Sequence, residues 1–212
     1  MKTLIFVILS ILGFISLFNT VCDSKNKKLS KKEIIPIAEG NNWTYDNYYY
    51  RSPRKDSICE AGTIQLVFGK KIIIKNEEWV QWGVFGFGFS NVGINKKEGF
   101  YRIFYDSIQD INFDSAFLFF KYPTEPGDKW YSKFENDTIQ TISLYEEVTV
   151  PAGTFKCIHY RTKGLSKYPN NGFFIAPGVG MIKCEIIGGI DISYPIPDTV
   201  WNILKLTKYK VK

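Results

Sequence analysis

His159 is the only histidine in this chain of 212 residues, so any imidazole chemistry rests on it alone. General acid–base or nucleophilic work needs a second group oriented beside the ring, and the residues flanking His159 in sequence supply none. Glu146-Glu147 is the one adjacent acidic pair in a strand-like segment. Neighbouring strand residues face opposite ways, so these two carboxylates do not form a dyad. The four cysteines, Cys22, Cys59, Cys157 and Cys184, show no C-x-x-C spacing, and with a single histidine a zinc site finds little support. Nucleophile elbow, H-E-x-x-H pair, P-loop, dinucleotide fingerprint and calcium loop are all missing from the sequence. The expectation is a protein that is not an enzyme and that uses no metal and no cofactor.

The chemistry that the sequence does offer is modification of one thiol. Lys2 gives a positive start, Leu4 to Phe18 form an almost unbroken apolar run, and Cys22 follows closely. That is the layout of a secretory signal. With cysteine directly after the cut it resembles a bacterial lipoprotein signal, and Cys22 is then the acylated residue. Asn19, Thr20 and Val21 depart from the usual preference for Leu three places before the cysteine and a small residue just before it. Secretion after cleavage near residue 22 and an uncleaved anchor are the alternatives, although the apolar run falls short of the roughly 20 residues that a membrane span requires. Residues 1–21 are read as signal peptide and 22–39 as a lipid-anchored flexible tether. The stretch Asp23–Lys32 is polar and rich in lysine, and cannot bury enough apolar surface to fold. The expected location is the cell envelope, with the membrane as partner through the N-terminal lipid.

Past the signal about 190 residues remain, enough for one domain with a core of its own. They carry 13 Tyr, 17 Phe and 5 Trp with only 2 Met. Aromatic and β-branched residues suit a pleated, half-buried surface, so the expected fold is all-β with little helix. The formal net charge of +6 comes largely from lysines in the tether and after Lys205. In the tether they can meet anionic head groups at about 1 kcal/mol each. No basic helix or recognition motif suggests nucleic acid as a partner. If Cys22 carries lipid, three cysteines are left in an oxidising compartment. Cys157 and Cys184, both in strand-like segments of the second half, are the expected disulfide, with Cys59 free or buried.

Period-two patterns and turn signals run from Trp43 onward. Strands are expected at 43–50, 64–68, 71–74, 79–89, 99–105, 116–120, 138–150, 155–162, 173–175, 180–187 and 201–209, with 51–62 as loop and turns at Gly69-Lys70 and Asn76-Glu77. In a strand Phe85, Phe87 and Phe89 share a face, either as an aromatic wall for an apolar ligand or as core. Trp43, Tyr45, Tyr48, Tyr49 and Tyr50 suggest a stacking surface on a sheet edge. Gly40-Asn41-Asn42-Trp43 and Gly127-Asp128-Lys129-Trp130 share a Gly-x-x-Trp step. Residues 40–212 are therefore one β-domain, with two related halves, 40–126 and 127–212, as an open alternative to chance similarity.

Pro126-Gly127-Asp128-Lys129-Trp130, Val148 to Cys157 (reading VTVPAGTFKC) and Ala176-Pro177-Gly178-Val179-Gly180-Met181-Ile182-Lys183 occur in that order. The set resembles a large group of uncharacterised bacterial envelope proteins and lipoproteins, over roughly residues 40 to 210. The resemblance implies a strongly curved antiparallel sheet, akin to the open half-barrels of periplasmic lipoprotein carriers, and it implies no reaction. From residues alone, Pro151-Ala152-Gly153-Thr154 is a hairpin turn and Pro177-Gly178-Val179-Gly180 a bend. Taken together, the sequence points to a membrane-tethered, non-enzymatic envelope lipoprotein that binds an apolar ligand in a curved sheet, with Phe85, Phe87 and Phe89 as contacts. The alternative is a surface module that contacts glycan or an envelope protein through the Tyr-rich edge.

Overall fold

The computed structural model describes residues 33–52, 59–105, 111, 115–132, 137–163, 171–191 and 198–212. The chain divides into two units, Met1–Lys32 and Glu33–Lys212, and the described residues all belong to the second. They form twelve strands: β1 (Asn42–Ser52), β2 (Cys59–Ile74), β3 (Glu77–Val84), β4 (Gly88–Lys96), β5 (Gly99–Phe104), β6 (Phe117–Lys121), β7 (Lys129–Ser132), β8 (Asp137–Val150), β9 (Gly153–Lys163), β10 (Gly172–Ala176), β11 (Gly180–Asp191) and β12 (Asp198–Lys210).

All twelve lie in one sheet in the order β6-β5-β4-β3-β2-β1-β12-β11-β10-β9-β8-β7. Apart from β6 and β7, each strand pairs antiparallel with its neighbours in sequence, and β1 pairs with β12 from Asn42–Lys210 to Ser52–Thr199. A meander whose first and last strands pair must have its two free edges in the middle of the chain, here β6 and β7. They approach each other, since the Trp130 indole N–H donates to the Leu118 carbonyl at 3.2 Å. The sheet thus curls into a nearly closed barrel with one seam. All-β, strongly curved and antiparallel is what the sequence predicts; the curl goes beyond a half-barrel.

The loop that crosses the seam is tied down by Asp128. Its Oδ2 receives Lys121 Nζ at 2.8 Å, Thr124 Oγ1 at 3.1 Å and the Glu125 N–H at 3.1 Å. The Lys121 ammonium, with the Glu125 amide, holds this carboxyl below the usual carboxylate range. On the far side the Tyr160 hydroxyl donates to the Lys121 carbonyl at 2.7 Å.

Alternation along the strands gives the sheet two apolar faces. Trp79 and Val80 are both buried, yet they belong to different clusters. Val80 faces the large inner core with Trp43, Tyr45, Phe68, Phe100 and Phe120, and Trp79 an outer cluster with Ile74, Val92, Ile103 and Tyr105. The N-terminal strap is part of the packed unit. Ile34 and Ile35 are buried, the Gly178 N–H donates to the Glu33 carbonyl at 2.8 Å, and Asn95 Nδ2 donates to the Ile35 carbonyl at 2.7 Å. The expected tether boundary at residue 39 is corrected accordingly: the packed unit starts at Glu33, because two isoleucines anchor the strap.

Other expectations change as well. Gly69-Lys70 is no turn but an irregularity within the continuous strand β2, where the pairing with β3 shifts between Phe68 and Lys71. Residues 59–62 are strand rather than loop. The expected strand 79–89 breaks at a turn over 85–87. Lys75 and Asn76, at φ 48° and 64°, make the two-residue turn that suits a hairpin's twist, one position earlier than expected. The Tyr-rich strand β1 is no edge, because β2 and β12 hydrogen-bond to both its sides.

Candidate functional site

The inner face of the barrel lines a partly open apolar cavity of about 210 Å³. Trp43 and Tyr45 of β1, Phe68 of β2, Trp82 of β3, Phe119 of β6 and Leu204 of β12 are among its walls, and Ile35 reaches it from the strap. Ring contacts hold these walls in place: Trp43 meets Phe68 edge-on at 5.3 Å, Phe68 stacks with Trp82 at 6.1 Å, and Phe119 meets Phe173 edge-on at 5.5 Å. Such pairs restrict one another, so the cavity is preformed rather than opened by a ligand.

The polar ends of the two β1 aromatics are turned to backbone. Trp43 Nε1 donates to the Val179 carbonyl at 2.7 Å and the Tyr45 hydroxyl to the Met181 carbonyl at 2.9 Å. Both acceptors lie at the entry to β11, so the Gly-x-x-Trp step and the Pro-Gly-Val-Gly bend meet in space. Gly180 is required there. Its φ is +105°, and a Cβ would stand 3.2 Å from Trp43 Nε1. Burial drives the Tyr45 hydroxyl well above the usual phenol pKa, so it stays a neutral donor.

One polar atom in the wall is left over. Trp82 Nε1 is buried with no hydrogen-bond partner among the described residues. Beside it, Arg102 Nε and Nη2 donate to Asn91 Oδ1 at 3.1 and 2.9 Å. The guanidinium lies 4.6 Å from the Trp82 ring centre and 4.9 Å from that of Phe119. Two rings of the cavity wall thus also hold a cation. A water molecule needs two to four polar partners to stay in a cavity, and the walls of this one are almost wholly apolar. The space suits an apolar group.

The predicted site residues fall elsewhere. Phe85, Phe87 and Phe89 do not line the cavity; they sit around the β3–β4 turn, 70%, 89% and 42% exposed. This also corrects the alternative that they are core. Cys157 and Cys184 are both buried and free, and the expected bridge is not made. β10 lies between their strands, and two strand spacings of about 4.8 Å exceed the ~7 Å that a disulfide spans between Cα atoms. Burial pushes both thiols up to about 12, so neither is a nucleophile at neutral pH. Cys184 is instead part of the cavity wall. Cys22 and the Cys59 and Tyr50 side chains lie outside the described residues.

His159 has a partner that the sequence reading missed. Its Nδ1 lies 2.8 Å from Glu146 Oε2, and the Ser143 hydroxyl donates to the same oxygen at 3.1 Å. The hairpin turn at 151–152 sets Glu146 opposite Cys157, which makes Glu146 and His159 diagonal neighbours on one face; counting back from that turn would have found the pair. The imidazole stacks on Phe174 at 4.3 Å. Burial lowers its pKa, outweighing the opposing pull of Glu146, so the ring is neutral in the fold. Serine and histidine both address Glu146, and the His159–Glu146 contact links β9 to β8.

No protein-family model and no curated protein matches the chain. Two solved structures show partial similarity. One, from Bacteroides fragilis, is named an exported protein with a YmcC-like fold; it shares 15% identity over 84% of this chain and 99% of its own, with a TM-score of 0.43. The other, named a lipoprotein of Parabacteroides distasonis, shares 12% identity over 84% and 99%, with a TM-score of 0.40. Likeness at that level decides nothing about this chain.

Proposed function

We propose that this chain is a membrane-tethered, non-enzymatic protein of the cell envelope whose barrel holds one apolar chain, such as part of a lipid acyl group. The cavity carries this reading: about 210 Å³ walled almost wholly by aromatic and aliphatic side chains. At about 30 Å³ for a small heavy-atom group, it takes roughly seven carbons. The apolar run before Cys22, followed by the lysine-rich stretch, supports envelope location and a lipid tether. No observation favours the glycan-stacking alternative, since the tyrosines thought to form its edge lie on a central strand.

Calorimetric titration with octanoate tests the reading. Saturable binding with a negative heat-capacity change is expected. Leu204→Trp, which places a larger ring in the wall, is expected to weaken that binding at least tenfold. Octanoate that fails to bind the folded protein, or that binds the variant equally well, would refute the cavity as the site.

A further inference from the structure

The β3–β4 turn presents Phe85 and Phe87 almost wholly to solvent, at 70% and 89% exposed, with Phe89 behind them at 42%. From Gly83 to Phe89 no side chain carries a hydrogen-bonding or charged group. We propose that this turn is a membrane contact: Phe85 and Phe87 enter the interfacial region of a lipid bilayer. The inference does not depend on what fills the cavity.

Three lines of observation favour lipid over a second protein. The three rings together expose on the order of 400 Å², about half of what one partner gives to a stable protein–protein interface. The tip also offers no polar side chain to fix orientation against a partner, whereas a bilayer interface asks only for apolar area. Finally, the amides of both exposed phenylalanines are already paired: the Phe85 N–H donates to the Gln65 carbonyl at 2.8 Å and the Phe87 N–H to the Val84 carbonyl at 3.0 Å. Those amides enter a poorly solvated layer without loss of hydrogen bonds. One acyl chain alone gives only marginal attachment, and a second signal makes it stable.

The test uses the full chain carrying Phe87→Trp, with vesicles of phosphatidylethanolamine and phosphatidylglycerol. The fluorescence added over the wild-type protein is the readout. Phe87 is so exposed that the exchange leaves the fold intact, which circular dichroism checks. A blue shift on adding vesicles, with quenching by lipids brominated near the head group, is the expected result, and Phe85→Ser in the same background moves the emission back toward that of indole in water. Emission that stays water-like on vesicles overturns the proposal. So does a blue shift without vesicles that follows protein concentration, which would assign the tip to a second copy.

Discussion

Trp43→Ala is expected to lower the unfolding free energy by about 3–5 kcal/mol, the usual cost of emptying a buried aromatic site. The side chain is 2% exposed and joins three parts of the barrel. Its ring meets Phe68 of β2, its N–H reaches the Val179 carbonyl ahead of β11, and Gly180 lies against its indole edge. The alanine variant loses the ring and leaves the carbonyl without its donor. Trp43→Phe is the milder comparison, because it keeps one ring while losing the N–H and the rest of the indole; a loss of about 1–3 kcal/mol is expected. Urea unfolding of both variants measures them. A loss below about 1 kcal/mol for Trp43→Ala would mean that Trp43 does not join β1, β2 and the entry to β11 as described.

Gly99→Ala is expected to be nearly as damaging, at about 2–5 kcal/mol. Gly99 opens β5 at φ +136°, and a Cβ there would stand 2.0 Å from the Phe120 carbonyl oxygen of β6. Backbone cannot swing aside as a side chain does, so β6, already an edge strand, must give up part of its pairing. Gly62→Ala is the matched control. Its φ is +90° but nothing lies within 4 Å of the added carbon, so only the conformational cost, about 1–3 kcal/mol, applies. Equal losses for the two variants in urea unfolding would show that close approach to β6 is not what requires glycine at 99.

Much of the fold could be read from period-two alternation and turn chemistry. β1, β5, β6 and β8 to β12 lie close to where those signals put them. The failures have local causes. β7 is four residues long, too short to show a period. The irregularity at Gly69-Lys70 resembled a turn because glycine serves both. Phe85-Gly86-Phe87-Gly88-Phe89 alternated as a strand does, yet alternation does not say which side of a turn a residue occupies. The cavity was legible only in part. Trp43 and Tyr45 stood out as a motif, but the space they border needs Leu204, Phe119 and Ile35, residues far apart in sequence that only β1–β12 pairing and the strap bring together. The Glu146–His159 contact and the separation of Cys157 from Cys184 both depend on register and strand order, which period-two alternation does not specify.

Native mass spectrometry of the protein released from its host's membranes, beside Leu204→Trp, tests the central claim most directly. The account predicts a lipid-sized adduct held without a covalent bond on the wild-type protein and reduced or lost on the folded variant. Wild-type protein that emerges gently released, folded and bare would contradict it.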